Sequence, residues 1–298
     1  MKIPAHAKIN LTLEVLGDRP DGYHDLHSVV MPVSVADAIE LLPSDGDAPT
    51  LSVTAGDGAP VDLARLGPPE KNLAVKAALV LAAETRHSPG VAISIEKRIP
   101  LGGGLGGGSA DAAAVLVGLN GLWGLGLTRL ELATIGAFVG SDVPALALGG
   151  AVLMEGRGER VSPLFPPNVV SVPPMDLVLV NPGVFSSTPA VFHANRNTRL
   201  TNDAHILDNI RDSLARGDVE GVARAMDNDL ADAARALCPE IGVAEEALKA
   251  AGAVGVSMSG SGATVFGLVR SPAHGREVIS RLAGTGFKAA LARTCPVV

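Results

Sequence analysis

Cysteine is nearly absent from this chain. Cys238 and Cys295 are the only two, their spacing fits no metal site, and such usage fits a reduced, cytoplasmic protein. Long apolar runs are missing as well. Charges and prolines interrupt every candidate before it approaches the roughly 20 apolar residues that a membrane span needs. There is no basic excess: a net charge of −7 argues against a nucleic-acid backbone as partner but permits a small anionic ligand held locally. The seven histidines form no H-x-x-x-H or comparable cluster, so no protein metal site is expected. The first residues, Met-Lys-Ile-Pro-Ala-His-Ala-Lys, hold no signal-peptide core and begin a strand instead. Aromatics are few, with one Trp, one Tyr and six Phe. What the chain does have is 47% hydrophobic residues over 298 positions, enough for one large domain or two ordinary ones.

Glycine is plentiful, and it is concentrated. Pro100-Leu101-Gly102-Gly103-Gly104-Leu105-Gly106-Gly107-Gly108-Ser109 places six glycines in ten residues and runs straight into a helical pattern. Backbone N–H groups at the positive end of a helix make a seat for a phosphate chain, and glycine lets the anion approach closely. Ser109 is expected to cap the helix and Asp111 to sit in its first turn, with Ala112, Val115, Leu116, Leu119 and Trp123 at helical spacing. Gly102, Gly104 and Gly107 fit G-x-G-x-x-G, but the N-terminal βαβ unit and the later acidic residue of a dinucleotide site are absent. A P-loop fails because Gly108-Ser109 stands where Lys-Ser/Thr is required. A flexible linker would have no reason to be followed by an apolar helix face.

Around the loop the chain alternates between strand and helix signals. Ile9, Leu11, Leu13 and Val15 alternate with Lys8, Asn10, Thr12 and Glu14, which predicts a half-buried strand over 8–15. A turn-rich connection covers 17–22, with further strands over 29–42, near 51–54 and over 91–95. Helices are expected over 72–85 and 128–138, and a strand over 151–155. Pro163, Pro166, Pro167, Pro173 and Pro174 then mark the best boundary, dividing the chain into 1–162 and 163–298. Beyond it, strands are expected over 177–180, 254–258, 264–269 and 287–292, and helices over 203–215, 219–237, 240–251 and 272–283.

Three separated segments resemble the motifs of the GHMP kinase family. They are Ala7-Lys8-Ile9-Asn10-Leu11-Thr12-Leu13, the glycine loop through Ala110, and Val256-Ser257-Met258-Ser259-Gly260-Ser261-Gly262-Ala263-Thr264. The resemblance implies an α+β, two-lobed fold, with an N-terminal lobe like ribosomal protein S5 domain 2 and a C-terminal ferredoxin-like lobe. ATP and a small-molecule substrate would meet in the cleft between them. Pro100, Leu101, Gly102, Gly103, Gly104, Leu105, Gly106, Gly107, Gly108, Ser109 and Ala110 would wrap the ATP phosphates, with Asn72 and Lys97 near the adenine. The residues alone say only that Asn72 can cap a helix and Lys97 can be a solvated strand end.

Asp21-Gly22-Tyr23-His24-Asp25-Leu26, with Gly140-Ser141-Asp142-Val143-Pro144 and the segment from Asn181 to Phe192, is similar to the isoprenoid-pathway branch of the family. Its substrate is a cytidine-diphosphate-linked polyol, phosphorylated on a hydroxyl in the non-mevalonate route. By this resemblance Asp142, placed where helix gives way to loop, is the base, and Lys8 keeps it ionised and balances charge near the transferred phosphoryl. Seen alone, Asp142 is an ordinary turn carboxylate and Lys8 a solvated strand lysine.

Tyr23, the single tyrosine, lies in a polar loop and can stack on a base, while His24 can hydrogen-bond the cytosine edge. Phe192 would be the opposite face of the cytosine sandwich, or else a core residue. Asn10 would orient the polyol, Thr188 would touch the substrate, and Gly260 and Ser261 would approach it or support the phosphate loop. Asn228-Asp229 is open between a family role and a helix surface. Two departures stand out: Ala145-Leu146 replaces the bulkier residues expected after Asp142, and the loop serine has no evident acidic partner. Mg²⁺ is therefore expected to be held chiefly by ATP and water. A homoserine or mevalonate kinase would keep the phosphate loop without Gly22-Tyr23-His24, and a non-catalytic nucleotide-binding regulator would have no need of both Lys8 and Asp142.

Overall fold

The computed structural model describes residues 1–59, 61–166, 172–195 and 204–295. Pro167 of the proline cluster and Asp203 at the expected helix start lie outside the described residues. β1 (Lys2–Asp18) and β2 (His24–Pro43) form a long antiparallel pair whose register runs from Lys2↔Glu40 to Asp18↔His24. Register shifts between His6 and Lys8, Asn10 and Thr12, and Val15 and Gly17 absorb the irregularities that make the two strands look shorter in the sequence. The turn between them is tight, with the Arg19 N–H donating to the Tyr23 carbonyl. The half-buried reading of β1 is corrected here. Lys8, Asn10, Thr12 and Glu14 are as buried as Ile9 and Leu11 opposite them. Buried polar groups need partners, and Glu14 finds one in His27, whose Nδ1 lies 2.8 Å from Glu14 Oε2.

Among the described residues, seven strands make the first sheet. β3 (Thr50–Ala55) pairs in parallel with β4 (Val91–Lys97), and β4 runs antiparallel to the second half of β2. β5 (Val152–Gly156) pairs with the first half of β2 and carries β6 (Arg160–Pro163). β8 (Asp227–Asn228), a two-residue strand from the far half of the chain, pairs in parallel with β1. α1 (Leu73–Thr85) and α2 (Gly107–Leu122) pack on one another, and α2 lies on β1 and β2. Alanines at 110, 112, 113 and 114 of α2 are buried, so small side chains bring helix and sheet close. α3 (Arg129–Gly136) starts at Thr128 with a capping box to Glu131, and α4 (Val143–Leu148) follows Asp142.

The second sheet is antiparallel, in the order β11 (Lys288–Arg293), β7 (Asp176–Asn181), β10 (Val265–Val269), β9 (Gly255–Met258). α9 (Glu240–Ala250) and α10 (Pro272–Arg281) pack against it. α5 (Thr188–Ala194) and β6 carry too few residues to show a period, and no sequence pattern foretold them. α6 (Ala204–Arg216) precedes a region where one helix was expected over 219–237. Instead α7 (Val219–Ala225), β8 and α8 (Ala231–Leu237) follow one another, because Asp227, Asn228 and Asp229 leave helical geometry to join β1.

The two sheets do not keep separate cores. One apolar cluster joins Ile9, Leu11 and the α1–α2 face to Leu177, Leu179 and Phe266, and the other joins Leu13 and Val15 to Val178, Met258 and Val265. Backbone bridges at Val33↔Thr294 and from the Cys295 N–H to the Pro32 carbonyl tie the edges together. Phe266 is the largest apolar side chain at this junction and is 0% exposed. Phe266→Ala is expected to cost about 3–5 kcal/mol through lost burial and the cavity left behind, read as a lower urea midpoint with an unchanged slope; an unshifted midpoint would remove it from the core.

Candidate active site

The glycine segment connects β4 to α2 and is held by backbone on both sides. The Lys8 N–H donates to the Leu105 carbonyl at 2.9 Å, and the Thr264 N–H donates to the Gly103 carbonyl at 3.0 Å. Two glycines are required by what surrounds them. A Cβ on Gly104 (φ +73°) would run into the Ser259 carbonyl oxygen, and one on Gly106 (φ +69°) would lie 3.0 Å from Lys8 Cγ. Gly106 is the N-cap of α2, which corrects the expectation for Ser109: that serine lies within the first turn and borders the cleft. The residues of that turn, whose N–H groups have no partner within the helix, border an opening of about 1320 Å³.

This opening gathers most of the residues that the sequence singled out. It is lined by Pro100 to Gly104, Gly106 to Ser109, Lys8, Asn10, Asp142, Tyr23, His24, Thr188, Phe192, Gly260 and Ser261. Leu105 and Ala110 are buried beneath the loop and do not reach it. Lys8 Nζ donates to Asn10 Oδ1 at 2.6 Å and lies 3.6 Å from Asp142 Oδ2, with the lysine side chain 4% exposed and the aspartate 33%. Asn10 is fixed in turn by donating to Ser28 Oγ. Asp142 stands at the start of α4 rather than at a helix end, so its carboxylate projects from a turn that Val143 and Pro144 bury behind it.

On the far side of the opening, His24 rather than Tyr23 is stacked on Phe192, with ring centroids 4.8 Å apart at 30°. His24 Nε2 also lies 3.1 Å from Asp18 Oδ1. Tyr23 is half exposed and carries the Arg157 guanidinium 5.3 Å from its ring centre. Thr188 Oγ1 meets Ser261 Oγ at 2.8 Å, and Ser186 Oγ donates to the Ser261 carbonyl, so α5 and the 259–262 loop are joined.

A smaller cavity of about 280 Å³ continues past Leu101 and Gly102. Asn72, which caps α1 by accepting from the Ala74 N–H, borders it with Lys71 and Phe185. Lys97 does not reach either cavity, correcting both its solvated and its adenine-side expectation. It is 1% exposed and its ammonium is shared between Asp37 and Asp111, beneath the first turn of α2. Asp37 also accepts from the Ile99 N–H at 2.8 Å, so this buried group fixes the start of the glycine segment. Burial pushes the Asp111 carboxyl up, to about 8, with Asp37 adding to the rise and Lys97 opposing it.

Sequence reasoning missed Arg157, Ser141 and Phe185 at the cavities, and Asp37 beneath them. A signal for Arg157 existed in Gly156-Arg157-Gly158, whose glycines take φ of +66° and +112° in a tight hairpin. Asp37 sits in a strand pattern with nothing to announce its burial.

The family model described as GHMP kinases N terminal domain matches residues 72–150, and that described as GHMP kinases C terminal matches residues 210–288. The chain is 39% identical to the 4-diphosphocytidyl-2-C-methyl-D-erythritol kinase of Symbiobacterium thermophilum over 99% of each chain. It is 38% identical to the protein of the same name from Pelotomaculum thermopropionicum, over 97% of this chain and 96% of that one. A crystal structure of 4-(cytidine 5'-diphospho)-2C-methyl-D-erythritol kinase superposes with a TM-score of 0.78 at 34% identity, covering 99% of both chains. The homoserine kinase of Cytophaga hutchinsonii shares the fold, with a TM-score of 0.72 at 20% identity over 99% of this chain and 94% of that one.

The raised Asp111 carboxyl has a measurable consequence. Between about pH 4 and pH 8 the folded chain keeps a proton that the unfolded chain has lost, so this group's contribution to stability falls as pH rises. Asp111→Asn cannot ionise and is expected to show a flatter decline in melting temperature across that window than the unsubstituted chain. Parallel curves would mean that Asp111 is ionised in the fold throughout.

Proposed function

The chain belongs to the GHMP kinase family, and we propose that it uses ATP to phosphorylate the 2-hydroxyl of 4-diphosphocytidyl-2-C-methyl-D-erythritol, a step of the non-mevalonate route to isoprenoids. One observation carries the reading. A glycine loop at a helix N-terminus, a Lys8–Asp142 ion pair and an aromatic group of Tyr23, His24 and Phe192 line a single cleft, although they come from widely separated segments.

The phosphates of ATP lie along Gly102 to Ser109, and its base lies toward the smaller cavity beside Asn72 and Phe185. The cytosine is taken by Tyr23, His24 and Phe192, with the polyol reaching toward Asn10 and Thr188. Phosphoryl transfer asks the protein for positioning and charge balance more than for covalent chemistry. The proton of the 2-hydroxyl passes to the Asp142 carboxylate as its oxygen bonds to the γ-phosphorus. The bond from that phosphorus to the β–γ bridging oxygen breaks, and ADP leaves. Lys8, 3.6 Å from Asp142, balances charge on the moving phosphoryl group.

Ser109 and Asp142, oxygen donors that border the cleft, would face a Mg²⁺ ion carried by ATP, which would supply charge neutralisation at the phosphates; among the described residues no group of three His, Cys, Asp or Glu side chains could hold a metal ion. Among the described residues no helix is long and apolar enough to cross a membrane. The two free thiols, Cys238 and Cys295, suit a reducing compartment, which supports a cytoplasmic location.

The deciding assay compares ATP-dependent phosphorylation of the cytidine substrate with that of homoserine and mevalonate. Preference for the cytidine compound is expected, and preference for either of the others would overturn the substrate assignment. Asp142→Asn should bind both substrates yet turn over roughly 10²- to 10⁴-fold more slowly; unaltered single-turnover kinetics would remove Asp142 from the chemistry.

Tyr23→Ala should weaken the cytidine substrate by about 1–3 kcal/mol, by analogy with base–aromatic stacking. ATP affinity should stay unchanged, since the phosphate loop is a separate segment. Equal losses for both ligands in calorimetric titrations would contradict a separate cytosine site.

A further inference from the structure

Asn228 does not line the cleft, yet it holds a loop that does. Its Nδ2 donates to two carbonyls, Met258 and Gly260, each at 2.9 Å, and its Oδ1 accepts from the Leu230 N–H at 3.0 Å. Only an amide of this length, in this orientation, supplies two donors and one acceptor at those points. The residue is 8% exposed, so losing one of these bonds would leave a buried group with little access to water. Asn228 is also anchored from below. It pairs with Leu13 in β1, the Asp229 N–H donates to the Leu13 carbonyl, and Asp229 Oδ2 accepts from the Val15 N–H.

The loop that Asn228 grips meets the reacting groups. Ser259 Oγ donates to the Gly104 carbonyl at 2.9 Å, and Gly260 approaches Lys8 so closely that a Cβ there would lie 3.1 Å from Lys8 Nζ. Asn228 therefore ties together β1, which carries Lys8 and Asn10, and the loop that packs on the glycine segment. From this geometry we infer that Asn228 is a positioning residue for phosphoryl transfer, holding the 259–262 loop so that the Lys8 ammonium keeps its place beside Asp142. The inference rests on the kinase reading given above. Its effect is expected on turnover, because Asn228 itself does not line the cleft and a displacement of about 1 Å in the reacting groups can cost about 10²-fold.

Asn228→Asp and Asn228→Ala separate this role from simple packing. Aspartate keeps the volume but offers no donor to the two carbonyls when ionised; alanine removes both volume and donors. The unsubstituted chain is first assayed with the cytidine substrate, homoserine and mevalonate, and both variants are then assayed with whichever acceptor it uses. A failure of the substrate assignment is thereby seen separately. The expected result is a kcat lowered about 10- to 100-fold in both variants, with KM for ATP and acceptor within about threefold and a folded chain by melting. Hydrogen exchange in the peptide spanning 258–264 should rise in both. If Asn228→Asp keeps full kcat while Asn228→Ala loses it, Asn228 only fills space. If kcat per folded molecule is unchanged in both, Asn228 has no part in positioning.

Discussion

Three backbone meetings around the glycine segment hold the site together. The Lys8 N–H bonds to the Leu105 carbonyl, the Thr264 N–H to the Gly103 carbonyl, and Gly104 presses on the Ser259–Gly262 turn with no space left for a side chain. A loop rich in glycine has much conformational entropy to lose, and these contacts restrict it from two directions at once. They also explain why the cleft needs both halves of the chain. The glycine segment is shaped by β1 on one flank and by the loop between β9 and β10 on the other.

Beneath that surface the electrostatics are divided between two lysines. Lys97 is sealed in with Asp37 and Asp111, where burying a charge costs several kcal/mol per ion, roughly, unless good partners offset it. Burial raises the Asp111 carboxyl, which limits the negative charge held under the α2 N-terminus. A net buried negative charge there would oppose an anion seated on the first turn. Lys8 faces the other way. Its ammonium reaches the cleft beside Asp142 and Asn10, and its charge remains available to a ligand. One lysine shapes the loop and the other meets what the loop binds.

The aromatic side of the cleft shows the same economy. With few aromatic residues in the chain, three of them, with His24, stand near cleft or adjoining cavity: Tyr23, Phe192 and Phe185. The Tyr23 ring is held from the β5–β6 hairpin by Arg157, and Phe192 is held from α5 by its stack on His24. Rigid flat faces of this kind lose little entropy when a flat ligand group settles on them, which suits the proposed role of this side of the cleft.

Local signals were legible wherever a few neighbouring residues carry the physics. The glycine run before a helix, the Asn72 cap, the presence of β1 and the turn before Tyr23 could each be read from short windows. So could the association of Lys8, Asp142, Tyr23, His24 and Phe192, through family resemblance. What no window contains is which polar residue ends up buried against which partner. Lys97 read as a solvated strand end because Asp37 lies 60 positions away and Asp111 lies 14 positions on. Asn228 and Asp229 read equally well as a helix surface, since their partners are Met258, Gly260 and Val15. Ser109 lost its capping role to Gly106 because α2 begins where Lys8 and the Ser259–Gly262 turn allow it to begin. Sequence by itself determined the α+β elements, the glycine segment before α2 and the kinase family, because these rest on local periodicity and motif. Tertiary structure alone decided the burial of Lys97, the grip of Asn228 and the pairing of His24 with Phe192, because each depends on desolvation by segments far away in the chain.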